Sequence, residues 1–116
     1  NIRSTQIALS AFSRPTIILM GGQERNQNFM DLKDYMNNVK LIVCYGENKA
    51  HIKEFGDEIN KETIVCNNLK EAFKIAYDHS EKGDVVLLSP ATASWDQYAK
   101  FEDRGDEFKE LVKNIK

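Results

Sequence analysis

Residues 16–22 read TIILMGG. Thr16-Ile17-Ile18-Leu19-Met20 carries no charge and no polar alternation, and Gly21-Gly22 stops the run. A strand with one wet face alternates apolar and polar side chains, whereas a short continuous apolar run bounded by glycine suits a strand buried on both faces, as in a parallel sheet. The same form recurs downstream. LIVCY (41–45) ends at Gly46, TIVC (63–66) follows a polar stretch, and VVLL (85–88) follows the Lys82-Gly83-Asp84 turn.

Helical spacing fills the intervals. Residues 31–37 fit a short helix with Leu32, Tyr35 and Met36 inward, and residues 48–59 a longer one with Ile52 and Phe55 inward and Gly56 weakening its end. The clearest helix follows Asn68, a capping residue with Glu71 three positions on, which is the capping-box spacing. Leu69, Ala72, Phe73 and Ala76 then keep the i, i+3, i+4, i+7 rhythm of one helix face. Ahead of the first strand, residues 4–12 place Ala8, Ala11 and Phe12 on one face, and Pro15 prevents continuation. At the far end, Phe108, Leu111, Val112 and Ile115 form a final stripe, with Lys109, Lys113 and Lys116 toward the C-terminal pole of the helix dipole.

After the first helix the order is βαβαβαβα. It predicts a Rossmann-like three-layer α/β fold with a mainly parallel sheet, right-handed crossovers and helices on both faces. Residues 1–116 are read as one domain, since no repeat, linker or low-complexity segment interrupts them. With a strand order of 3-2-1-4, strands 1 and 4 are neighbours where the order reverses, and ligands in such sheets bind beyond the strand C-termini at that point. The loops there are GGQERNQNF (21–29) and SPATASWDQY (89–98). The small residues of the second loop suit either a plain turn or a backbone kept clear so that a ligand can approach.

Composition narrows the function classes. Of the 116 residues, 41% are hydrophobic and 29% charged, as in ordinary globular domains. The net charge of −2 gives no electrostatic reason to expect nucleic acid or an anionic membrane. No apolar run approaches the ~20 residues of a membrane span, and no apolar secretory leader opens the sequence. Cys44 and Cys66 sit in apolar stretches and read as buried thiols of a reducing, cytoplasmic compartment. Neither has a close Cys or His partner, so no metal site is expected.

GGQERN is neither a P-loop, lacking Gly-Lys-Ser/Thr, nor the G-x-G-x-x-G dinucleotide fingerprint. Arg25 is its chemically interesting member. A guanidinium at a strand C-terminus can grip a carboxylate through two parallel hydrogen bonds, the alternative being a solvated surface arginine. Ser94 is not expected to be a nucleophile, because His51 and His79 fall in or at the ends of helices away from its loop. It suits a hydrogen-bond donor, or the N-cap of a helix starting near Trp95 whose free N–H groups would face an anion. A receiver-type phosphoacceptor is not expected either, since the third strand ends in Cys66-Asn67. Tyr45, Tyr77 and Met30 read as core or rim.

Together these motifs resemble one family. LLSPATASWDQYAKFEDRGDEF (87–108) is similar to the C-terminal signature of the UDP-N-acetylmuramoylalanine–D-glutamate ligases, a branch of the Mur ligases of peptidoglycan synthesis. GGQERNQNF resembles that family's glycine-glycine loop, and STQIALSAF (4–12) the helix before it. The resemblance implies a three-domain enzyme of which this chain is the third domain. That enzyme uses ATP and Mg²⁺ to activate the carboxylate of UDP-MurNAc-L-alanine as an acyl phosphate, which the amine of D-glutamate attacks. By motif match, Arg25 would grip a D-glutamate carboxylate, Ser94 would donate a hydrogen bond to one, and Phe101 would complete the pocket. Gly21, Gly22 and Thr92 would supply loop backbone near the site.

The sequence departs from the family pattern in places. Glu24 stands where aspartate is usual and Asn26 where glycine is common. The family's Asp-Ser-Lys-Ala-Thr-Asn motif is represented only by Asn1, and the P-loop and metal ligands of a central domain are not in this sequence. The isolated chain is therefore expected to be inactive and to bind neither ATP nor Mg²⁺, with ATP and UDP-MurNAc-L-alanine engaged through the other domains. The competing expectation is a stand-alone Rossmann-like module that binds a small molecule or anion, which the absence of an upstream P-loop would favour.

Overall fold

Among the described residues, β1 (Thr16–Gly22) is an inner strand of a four-stranded sheet. On one side it pairs in parallel with β2 (Val39–Gly46), and on the other with β4 (Val85–Leu88). β3 (Thr63–Val65) adds to the far edge of β2, giving the order β3-β2-β1-β4 with every pairing parallel, as the element order predicts. The computed structural model describes residues 2–88. Thr92, Ser94, Phe101 and the expected last helix lie outside the described residues.

The continuous apolar run of β1 is divided between two cores. Successive strand side chains point to opposite faces, so Ile18 and Met20 join one cluster and Ile17 and Leu19 the other. All four are 0% exposed, which is why no polar residue interrupts the run. The first cluster lies under α1 (Ile2–Ser10), a 3₁₀ helix (Phe29–Tyr35) and α2 (Lys49–Glu58). The second lies under α3 (Leu69–His79), through Ala72, Phe73 and Ala76. Helices therefore cover both faces, as expected.

Several local readings shift. Residues 31–37 do not form an α-helix. A seven-residue 3₁₀ helix begins at Phe29, where the Asn28 side chain accepts from the Met30 N–H at 3.2 Å. Starting there seats Phe29 in the core at 1% exposure. In α1 the buried positions are Thr5, Ala8 and Leu9, and Ala11 is exposed. The helix tightens at its end through i→i+3 bonds, Ala11 N–H to Ala8 O at 3.2 Å and Phe12 N–H to Leu9 O at 3.5 Å, which carries Ala11 off the buried face. Tyr77 and Met30 lie exposed at the rim and Tyr45 is half-buried, within the core-or-rim reading.

The capping box of α3 forms with a changed partner. Asn68 Oδ1 accepts from the Glu71 N–H at 2.9 Å, but Glu71 Oε1 accepts from the N–H of Asn67, also at 2.9 Å, rather than from Asn68. Gly56 likewise has another role than weakening a helix end. It is buried inside α2, where a Cβ would lie 1.9 Å from Thr63 Oγ1. Its missing side chain lets α2 press directly on β3. Cys44 and Cys66 are buried free thiols, as expected, and belong to opposite faces of the sheet.

Candidate functional site

The C-terminal ends of β1 and β2 meet in close contact, with the Tyr45 ring lying against Gly21. A Cβ on Gly21 would lie 2.4 Å from Tyr45 O, and one on Gly46 2.7 Å from Gly22 N. Gly46 also has φ +80°, which side chains disfavour. These glycines let the two strand ends approach closely, Gly21 leaving room for the Tyr45 carbonyl and ring and Gly46 for the Gly22 backbone. On the other flank, Leu88 at the end of β4 pairs with Leu19, two positions before Gly21. β1 thus ends between β2 and β4, at the reversal of strand order, where crevices form in such sheets.

The loop leaving β1 is tied to the start of α2. Asn48, 1% exposed, donates its backbone N–H to Gly22 O at 3.2 Å and its Nδ2 to Gln23 O at 3.5 Å. Its Oδ1 is buried without a hydrogen-bond partner among the described residues. Glu47 Oε1 accepts from the Glu24 N–H at 2.7 Å. The Glu24 carboxylate accepts from the Asn26 N–H at 2.8 Å and faces His51 Nδ1, at 3.3 Å from each oxygen. An ionised carboxylate only accepts, so Nδ1 carries the hydrogen in this contact. The imidazole is further fixed by an edge-on contact with Phe29, centroids 4.6 Å apart.

These contacts explain the sequence departures. Asn26 has φ 55°, in the left-handed region that asparagine tolerates better than most residues. A backbone shape suited to glycine is therefore kept, held by the Glu24 carboxylate on the Asn26 N–H.

Arg25 sits at the tip, exposed. Its backbone N–H donates to Gln27 Oε1 at 3.0 Å, and its Nη2 donates to Gln23 Oε1 at 2.7 Å. Among the described residues no carboxylate pairs with its guanidinium. Of the expected site residues, Gly21, Gly22 and Arg25 come together at the end of β1; Thr92, Ser94 and Phe101 fall outside the described residues. The sequence reading missed Glu47, Asn48 and His51. The signal for them was the strand order itself, since adjacency of β1 and β2 brings the segment after Gly46 beside the loop after Gly22.

Beside this loop, a depression of about 90 Å³ separates the 3₁₀ helix from α2, floored by Phe29 and Phe55 and rimmed by His51, Glu54 and Glu58. That is far below the roughly 300–1,000 Å³ of ligand pockets. Among the described residues no three His, Cys, Asp or Glu side chains group as metal ligands, and no helix is long and apolar enough to cross a membrane.

The family model for the Mur ligase glutamate ligase domain matches residues 1–92. The chain belongs to this family. It is similar to the UDP-N-acetylmuramoylalanine–D-glutamate ligases of Bacillus velezensis, 44% identical over 117 residues, and Bacillus subtilis, 43% identical over 117 residues. Both alignments cover 100% of this chain and 26% of the relative. The ligase of the same name from Staphylococcus aureus is 46% identical over 108 residues, covering 93% of this chain and 24% of the relative. The chain thus spans about a quarter of the length of the relatives it matches. The Mur ligase family assignment and the parallel 3-2-1-4 sheet agree with the resemblance read from the motifs.

Proposed function

We propose that this chain is the D-glutamate-binding domain of a cytoplasmic ligase that adds D-glutamate to UDP-MurNAc-L-alanine, with Arg25 gripping a carboxylate of the incoming amino acid. The observation that carries the reading is the state of Arg25. Its guanidinium stands at the end of the central strand, held by one neutral acceptor, Gln23, and by no carboxylate among the described residues. A cation so placed offers its donors to an anionic ligand. The names of the relatives support D-glutamate as that ligand.

The chemistry assigned to this domain is binding and orientation. Holding the amine at the activated carboxyl carbon makes the encounter effectively intramolecular, worth up to roughly 7–11 kcal/mol of the barrier. ATP and Mg²⁺ would supply the activation in the full-length ligase. The described residues include no phosphate-binding Gly-Lys-Ser/Thr loop and no group of three potential metal ligands. Ser94 and Phe101 are proposed to complete the D-glutamate pocket, with Thr92 contributing backbone nearby.

The test is Arg25→Ala in the full-length ligase, with D-glutamate varied. Losing a hydrogen bond to a charged group costs roughly 1.5–3 kcal/mol, so KM for D-glutamate should rise about ten- to more than a hundredfold while KM for ATP stays nearly constant. Arg25→Lys should recover part of the loss, because the charge survives without the planar fork. Unchanged KM and kcat in Arg25→Ala would make Arg25 a solvated surface residue and remove the assignment.

A further inference from the structure

Arg25 has an acidic neighbour at position 24, yet the two side chains do not pair. The Glu24 carboxylate is turned away, one oxygen accepting from the Asn26 N–H at 2.8 Å and both lying 3.3 Å from His51 Nδ1. His51 is in turn held by its edge contact with Phe29, which is anchored in the core. Among the described residues, Arg25 is left on the neutral Gln23 Oε1 at 2.7 Å.

We propose that His51 is a positioning residue that holds Glu24 away from Arg25 and so keeps the guanidinium available to an anionic substrate. The inference rests on the reading of Arg25 as the carboxylate grip. Its logic is competition. A carboxylate one residue away is a permanent local rival to any free carboxylate, and it needs only a change of side-chain torsions to reach the guanidinium. An N–H on α2 that engages the rival removes it without removing its charge. Glu47, Glu54 and Glu58 also lie near this corner, but Glu47 is engaged by the Glu24 N–H, and Glu54 and Glu58 rim the depression beyond His51.

His51→Ala should release Glu24 to pair with Arg25. KM for D-glutamate should rise about two- to fivefold, the worth of an exposed ion pair expressed as a ratio, with kcat changing less. His51→Asn keeps an N–H near the Nδ1 position and should behave as the native protein does. The decisive variant is His51→Ala combined with Glu24→Gln. Removing the rival charge should return KM to the native value, although the imidazole is still missing. A merely structural role for His51 would give no such rescue.

The kinetics belong to the full-length ligase, and Arg25→Ala is measured beside them. The Arg25 Nε–H NMR signal of this chain provides a readout free of D-glutamate. It should shift in His51→Ala and return in the double variant. If Arg25→Ala raises KM but the His51→Ala effect is absent or persists with Glu24→Gln, the positioning role is overturned and the carboxylate grip stands. If Arg25→Ala leaves KM unchanged, the grip itself fails.

Discussion

Gly56→Ala sets two physical effects of opposite sign against each other. Within a helix, alanine is favoured over glycine by roughly 0.8–1.0 kcal/mol, so propensity alone predicts a more stable protein. The packing predicts the reverse. A Cβ built on Gly56 lies 1.9 Å from Thr63 Oγ1 and 2.9 Å from Thr63 Cβ, where carbon atoms at optimal separation stand about 3.5–4.0 Å apart. Rotating the Thr63 side chain moves Oγ1 but not Cβ, so α2 must retreat from β3 by about half an ångström or more. Retreat loosens Ile52 and Phe55, both buried in the first core, and pulls on the Lys61 N–H to Gly56 O bond of 2.9 Å that closes the helix end. Overpacking of this kind costs typically 1–3 kcal/mol, and the oxygen contact places Gly56 toward the upper end. After subtracting the propensity gain, the net destabilisation is about 2 kcal/mol, or roughly 8–16 °C in Tm for a domain of about 100 residues. Calorimetric or circular-dichroism melting of the purified chain measures it directly. Thr63→Ala in the Gly56→Ala background should recover part of the loss, because two of the three close atoms are removed. A Gly56→Ala protein that melts at or above the native temperature would refute the packing account and leave propensity as the governing term.

Other expectations follow from single contacts. Asn68→Ala should destabilise the chain by about 1 kcal/mol through loss of the Oδ1 cap on Glu71, and Asn68→Ser should not, as read from urea midpoints at constant m. Burial pushes the Cys44 thiol up to about 11, so iodoacetamide at pH 8 should leave Cys44 unlabelled in the native chain and label it on unfolding; rapid native labelling detected by mass spectrometry would contradict its place in the core. Lys40 and Asp84 join the start of β2 to the turn before β4. The Lys40 ammonium, together with the Glu81 N–H, holds the Asp84 carboxyl below its ordinary value, while Asp84 raises Lys40. Asp84's contribution is therefore present above the ordinary carboxylate value and lost as pH falls through the depressed one. Lys40's is present below the ordinary lysine value and lost as pH rises through the raised one. Asp84→Asn should lower Tm between those limits and converge with the native curve at both extremes, and a constant offset across the pH range would show that the pair contributes nothing.

The strands were legible because burial on both faces leaves a local mark. Ile17 to Met20 must all be apolar when each face has its own core, and that requirement writes itself into consecutive residues. The long helix α3 was legible for the same reason, its cap and stripe lying within one short window. What the sequence hid was non-local. Gly56 looked like a weakness because Thr63, the atom it makes room for, belongs to another element. The 3₁₀ helix was misread because a short apolar-periodic segment fits either helical pitch, and the position of Phe29 in the core decides between them. At the candidate site, Arg25 stands out from its own loop, whereas His51 comes into view only once α2 is laid against that loop.

The junction of Gly21 and Gly22 with Tyr45-Gly46 also decides where motion at the crevice can begin. A Cβ on Gly21 would meet the Tyr45 carbonyl at 2.4 Å and its ring at 2.7 Å, and one on Gly46 the Gly22 backbone at 2.7 Å, so there is no slack to take up and these glycines act as a seized joint rather than a hinge. Gln23 and Glu24, just beyond the paired strands, are themselves tied to Asn48 and Glu47, so the freedom that is left lies toward the tip at Arg25. Among the described residues, the strand ends form a floor of fixed backbone, and the loop that carries Arg25 is a wall that can adjust beside it. Relatives that differ in what they accept would be expected to vary along that wall while the floor beneath it stays the same.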